Sequence, residues 1–400
     1  MNRRADARAK LIRGLVLVAL VWGTAGEYAV AQAQATAPKA WRPSRTDSLT
    51  IWSTRSRQIL EQAAGTQLGA AEVQAFADLA QLGRLYFERL GPQGMRGAGG
   101  LVAMLDSLGH RAIVHSDPIL PAFTLVQYLH PTLDGGVSLC YLYWFRGAEL
   151  LQQAVNLHGG TDVEFRAYWL DLPRAPYEAA ILFRAGSGAQ EERRLFTLQL
   201  AADASGWIPR PGGAEPRTLG RGGEARFVEL NGDRIPEIAV WSLGVPDSLF
   251  SLCSEPTCPR YLVERSYWRH EQKGVQLVSE RPAPTALNAL MQLLLALRDG
   301  REEVAMSLVT DERILSEARR GGLDRVRGRG AVRVATGRCI ECWPERIAFS
   351  VPRPDGKRQV FEAVFETEGE GWRLKSLQER GVSADDDPAG AGVTQPGGSP

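Results

Sequence analysis

ARFVELNGDRIPEIAVWSL, residues 225–243, decides how the middle of this chain is read. Two apolar runs, Phe227 with Val228 and Ile238 to Trp241, flank a polar centre. That centre contains Asn231-Gly232, a dipeptide suited to the positive φ values of a tight hairpin turn. A hairpin here makes the flanking runs antiparallel strands. The same centre sets oxygen donors at alternate positions, Glu229, Asn231 and Asp233, followed by the carbonyl of Ile235 and the carboxylate of Glu237. Such spacing suits a hard cation that takes about six or more oxygens. Two readings stand side by side: a turn closed by its own side chains, and a calcium loop. Arg234 weighs against the second, since it adds positive charge and is poorly suited to a left-handed conformation.

Outward from the hairpin, residues 111–280 carry short β-branched and aromatic runs separated by Gly, Pro and Asp. They include FTLVQYLH, VSLCYLYWF, VEFRAYWLDL, EAAILFRA, RRLFTLQLA and YLVERSYWRHE. This pattern predicts a mainly antiparallel β domain, a sandwich or part of a propeller. Its many aromatics are read as core and cross-strand packing.

Upstream, residues 47–110 read as helical. Val73, Phe76, Ala77, Ala80, Gly83 and Phe87 recur at helical spacing, and LGPQG supplies a stop. An amphipathic face must bury against something, so these helices are expected to lie on the following sheet. Before them, Arg3, Arg4, Arg8, Lys10 and Arg13 precede the apolar run GLVLVALVW, and AVAQAQA offers small residues for cleavage after Ala31 or Ala33. Residues 1–31 thus have the layout of a secretory signal, and 32–46 that of a flexible leader. The mature chain is expected to be exported, periplasmic or extracellular, with no stable membrane span. Its partner would be a protein or an envelope component. The formal net charge of +1 gives no bias towards nucleic acid.

Downstream, residues 281–285 read as a linker before the apolar helix ALNALMQLLLALRDG. Two further helices and the strands AVRVATGR, ERIAFSVPR, RQVFEAVFETE and GWRLKSLQE follow, up to residue 380; residues 381–400 are a low-complexity tail. The expected fold class is therefore α+β: N-terminal helices, a central mainly antiparallel β domain and a C-terminal cone-shaped α+β domain.

Two resemblances go with these patterns. Phe227, Glu229, Asn231, Gly232, Asp233, Pro236 and Glu237 leading into IAVW resemble the calcium-loop segment of an FG-GAP or VCBS-type repeat, which implies calcium as the one cofactor candidate. The helix and strand order of residues 286–380 is similar to that of the nuclear transport factor 2-like and SnoaL-like families. Those families include enzymes, binding modules and dimerisation domains, so a homodimer through this region is one implication.

Five cysteines in an exported chain point to disulfides. Cys253 with Cys258 and Cys339 with Cys342 make the simplest local pairing, with Cys140 left over; bridges between the two pairs remain open. Arg325, Arg327 and Arg329, within the arginine-rich interval 313–338, are an anion-binding candidate whose alternative is a solvated loop. No catalytic residues are singled out, because G-x-S-x-G, H-E-x-x-H and nucleotide-binding fingerprints are absent. The functional expectation is a non-enzymatic binding or interaction protein with one weak calcium site. The alternative is an enzyme or small-molecule binder using a pocket in the C-terminal cone. Alternate residues Ile347, Phe349, Val351, Phe361, Ala363 and Phe365 are expected to point inward there and make that interior apolar.

Overall fold

The computed structural model describes residues 48–62, 68–92, 95, 99–130, 138–170, 177–210, 215–252, 260–270, 274–334, 345–369 and 371–383. The segments expected as signal (1–31) and leader (32–46) lie outside the described residues, as does all of the expected 381–400 tail except residues 381–383, which end a strand. Cys253, Cys258, Cys339 and Cys342 lie outside them as well.

The fold class differs from the α+β expectation. Strands hold 46% of the described residues and helices 27%, in four sheets, so the chain is predominantly β. The difference comes from strands that lack a distinctive apolar run. β1 (Arg111–Ser116), β4 (Glu149–Val155), β8 (Trp207–Pro209), β12 (Phe250–Leu252) and β14 (Gly274–Pro282) are short or mixed in polarity. Each lies at an edge of its sheet. An edge strand needs only one hydrogen-bonded neighbour and tolerates polar residues, so its sequence signal is weak.

The chain divides into two compact units. One comprises Met1–Ala179 with Leu198–Ile208, the other Ala180–Thr197 with Pro209–Pro400. In the first, helices α1 (Ser48–Gln62), α2 (Ala70–Leu90) and α3 (Gly99–Ser107) precede the antiparallel meander β1, β2 (Phe123–Leu129), β3 (Ser138–Arg146) and β4. Phe76, Leu79, Ala80, Leu82 and Phe87 of α2 share one core with Val126, Tyr128, Leu139, Tyr141 and Tyr143. The period of two along β2 and β3 puts those residues on one face. Val73, expected on the apolar stripe of α2, is 43% exposed.

Gly83 marks where α2 comes closest to the sheet. A Cβ added there would collide with the Tyr128 hydroxyl and lie 2.8 Å from that of Tyr143. Those hydroxyls are fully engaged: Tyr143 donates to the Ala80 carbonyl at 2.9 Å and receives the Tyr128 proton at 2.8 Å. Burial raises both phenol pKa values, so both stay protonated donors. The other face of β2 and β3 is covered as well: Trp207 packs edge-on against Phe123 and Trp144 with centroids 5.2 and 6.2 Å apart.

In the second unit the hairpin strands β10 (Glu224–Val228) and β11 (Glu237–Leu243) join β13 (Leu262–His270) and β14 in the order β10-β11-β13-β14. β14 runs through Pro282, and Thr285 caps the next helix by accepting the Asn288 amide hydrogen at 3.1 Å. The expected linker is thus mostly strand and cap. Helices α4 (Ala286–Arg298), α5 (Glu302–Ser307) and α6 (Glu312–Arg320) follow. They pack with a sheet ordered β12, β15 (Val332–Val334), β16 (Arg346–Pro352), β17 (Arg358–Glu368) and β18 (Gly371–Ser383). β12 reaches this sheet from the segment between β11 and β13 and pairs with β15 in parallel. The remaining sheet comprises β5 (Thr161–Trp169), β6 (Tyr177–Ala185), β7 (Glu192–Leu200) and β8; β9 (Arg217–Arg221) also pairs with β7.

Two consequences for stability follow from the first unit. Gly83→Ala should destabilise it by about 1–3 kcal/mol in chemical denaturation, because overpacking against the tyrosine pair outweighs alanine's helix propensity of ~1 kcal/mol. His110 and His115 make the fold acid-sensitive. Burial lowers each from 6.5 to about 4; hydrogen bonds oppose it, from Ser53 at His110 and from Gln127 at His115, and the Arg57 charge adds a smaller lowering at His110. Between these values the unfolded chain binds protons that the folded chain refuses. This stabilisation is complete above the unfolded value and is lost as pH falls through the folded one. The urea midpoint should therefore be lower at about pH 5 than at about pH 7, and replacing both histidines by glutamine should flatten that difference.

Candidate functional site

The last ladder pair of the β10–β11 hairpin is Val228 with Glu237, which leaves 229–236 as the loop. Its backbone turns on Gly232 (φ 80°) and Arg234 (φ 66°). At the second, arginine adopts the left-handed conformation that favours glycine, at a cost of about 1–2 kcal/mol.

The loop's own side chains hold it. Glu229 Oε1 accepts the Gly232 amide hydrogen at 2.8 Å, and Asn231 Oδ1 accepts that of Asp233 at 2.9 Å. Asp233 Oδ1 accepts from Ile235 at 2.7 Å, and Asn231 Nδ2 donates to Asp233 Oδ2 at 3.0 Å. Glu237 is buried, and its Oε2 accepts the Leu230 amide hydrogen at 2.9 Å. These bonds satisfy backbone donors that a bare loop would leave to water.

Glu229, Asn231 and Asp233 are therefore in one loop, with Glu237 at the strand that closes it, but their oxygens are bonded to the loop's backbone. Among the described residues no three Asp, Glu, His or Cys side chains form a group able to hold a metal, and Glu229, Asp233 and Glu237 are within that search. A cation would have to use the carboxylates' spare lone pairs together with Asn231 and the Ile235 carbonyl. The oxygen chemistry fits calcium, whereas the observed arrangement already works as a turn. Beside the loop, Arg226 lies over the Trp241 ring, 4.7 Å from its centroid, a contact that sequence alone did not suggest.

The arginine candidates separate into different roles. Arg327 Nη1 donates to the carbonyls of Asp324 and Val326 at 2.8 and 2.9 Å, and Nη2 to that of Arg298, the last residue of α4, at 2.8 Å. It closes a helix C-terminus, where a cation is favoured. Arg325 is exposed and 3.9 Å from Asp324, and Arg329 is exposed. Arg327 thus spends its guanidinium on backbone carbonyls.

In the C-terminal sheet, Ile347, Phe349, Val351, Phe361, Ala363 and Phe365 are all buried in a single core with α4, as their alternation implies. Phe349 and Phe361 are cross-strand partners, stacked with centroids 5.4 Å apart. Space for a ligand lies elsewhere in this unit: a cleft of about 330 Å³ at the start of α4, bordered by Thr285, Asn288, Gln292, Glu368, Trp372 and Arg373. The sequence offered no signal for it, because its walls come from three segments distant along the chain. Asp117 accepts the amide hydrogens of Ile119 and Leu120 at 2.7 and 2.8 Å and that of Ala167 at 3.3 Å.

Arg234→Gly should raise the urea midpoint, by about 0.5–1 kcal/mol in unfolding free energy, since glycine relieves the left-handed strain but loosens the unfolded chain. A drop in stability would mean that the arginine side chain makes a stabilising contact larger than that strain. No protein-family model, curated protein or solved structure matches the chain.

Proposed function

We propose that the mature chain is an exported, non-enzymatic binding or interaction protein, in which the 229–237 loop is first a structural turn and second a weak calcium site. The observation that carries this reading is the filled interior of the C-terminal sheet. The face that would line a reaction chamber in a cone-shaped fold is occupied by Phe349, Phe361, Phe365 and their apolar neighbours, packed under α4. Acid–base or nucleophilic chemistry needs polar groups converging on a reacting atom, and that face supplies none among its described residues.

The helix-then-meander order of residues 286–380 supports a part for this region in self-association, as in the nuclear transport factor 2-like proteins it resembles. The loop supports a calcium affinity in the weak range of extracellular modules, ~10⁻⁴–10⁻³ M, since each donor carboxylate is already shared with a backbone amide.

The full chain expressed in a bacterial host should appear outside the cytoplasm, shortened to begin near residue 32. Calorimetric titration of that product with calcium should give a millimolar-range Kd, lost in the Glu229→Gln, Asp233→Asn double variant. Retention of the unshortened chain in the cytoplasm would refute the export reading. Absence of heat, together with an unchanged thermal midpoint at about 10 mM calcium, would refute the ion site.

A further inference from the structure

Strand β18 ends at Ser383, whose ladder partner is Arg358, the first residue of β17. Arg358 also pairs with Pro352, the last residue of β16, so the turn formed by residues 353–357 stands at the same end of the sheet. The start of β15 lies beside it, because Arg358 Nη2 donates to the Ala331 carbonyl at 2.6 Å and to that of Ser350 at 2.8 Å. Four strand ends therefore share one rim.

That rim is basic. Arg329 and Lys357 are exposed, and neither pairs with an acid among the described residues. The turn is braced, since the Arg353 amide donates to the Lys357 carbonyl at 2.8 Å, and both cations are thereby held at its ends. Its one acid, Asp355, is engaged locally: Oδ1 accepts the Lys357 amide hydrogen at 3.1 Å, and Oδ2 lies 3.6 Å from Arg353. On the far side, the Gly330 amide donates to the Ser248 carbonyl at 2.8 Å, and the neighbouring Asp247 lies 3.7 Å from Arg298.

In sequence, Ser383 is followed by Ala384 and then by Asp385, Asp386 and Asp387. An extended chain spans at most ~3.3–3.6 Å per residue, so these acids reach about 7–14 Å from Ser383. Strands lie about 4.8 Å apart, which puts β17, β16 and β15 at about 5, 10 and 14 Å from β18. The reach therefore covers Lys357 and Arg353 and extends to Arg329, and the charges are opposite. We propose that Asp385, Asp386 and Asp387 fold back onto this rim in the same chain, so that it is occupied from within. The tether supplies an effective concentration on the order of millimolar, which lets individually weak exposed ion pairs act together. This assignment goes beyond the binding-protein reading and uses neither the calcium loop nor export.

Zero-length carbodiimide cross-linking of the full chain, read by peptide mass spectrometry, tests it. Lys375 Nζ lies 2.8 Å from Glu366 on the neighbouring strand, and that link is the internal standard. Lys357 should join one of Asp385, Asp386 and Asp387 in a yield comparable to the standard. Arg329→Gln combined with Arg353→Gln should lower the Lys357 link at least ~threefold relative to the standard, whereas a tail held only by its tether would keep it. Should that variant not fold, raising NaCl from about 0.05 to about 1 M on the unaltered chain should give the same relative fall. In a mixture of heavy-isotope-labelled and unlabelled protein, the link should join peptides of one label. A missing Lys357 link beside an intact standard, or a link between labelled and unlabelled chains, overturns the proposal. So does a yield unchanged in the folded variant or, where the variant does not fold, unchanged by salt.

Discussion

Each of the two helix-covered sheets has an apolar face that one long helix must hide from water, and the remaining architecture is arranged around that burial. In the first unit α2 lies on β2 and β3; in the second, α4 lies on the sheet that ends in β18. The hydrophobic gain scales with area removed from water, about 25 cal/mol per Å², so these layers dominate the stability of their units. Close approach then imposes secondary conditions. Gly83 is needed where α2 meets two tyrosine hydroxyls, and Asn288 has to pair the Leu262 and Ala283 carbonyls beneath the first turn of α4.

The polar loop at 229–236 illustrates how one arrangement of atoms serves two kinds of chemistry. Carboxylate and amide oxygens at alternate positions are what a cation requires, and they are also what a chain needs to satisfy successive amides in a tight reversal. Here those oxygens are turned towards Gly232, Asp233, Ile235 and Leu230. The left-handed Arg234 keeps the backbone shape that glycine would adopt without strain. Shape and ion affinity are therefore separable properties of this loop.

Legibility in the sequence follows burial. Strands at the centre of a sheet, such as β3, β6 and β11, carry near-continuous apolar runs and were evident. Edge strands were not: β4 reads ELLQQAV and β14 reads GVQLVSERP, mixtures that take strand conformation because a neighbour offers a ladder. Helices with a strong 3.6-residue periodicity stand out against such edges, which is why the pattern weighs towards α+β while the fold is predominantly β.

The sequence by itself determined the hairpin at 225–243, the helical stretches, the strands of the sheet interiors and the apolar alternation of Ile347, Phe349 and Val351, because each is written in local pattern and turn chemistry. The tertiary structure alone decided that Phe250–Leu252 pairs with Val332–Val334, that Arg327 closes α4, and that Asn288, Trp372 and Arg373 border one cleft. These depend on segments far apart in the chain being brought together by burial of the sheet faces, and no local pattern encodes which distant backbone or side chain will be the neighbour.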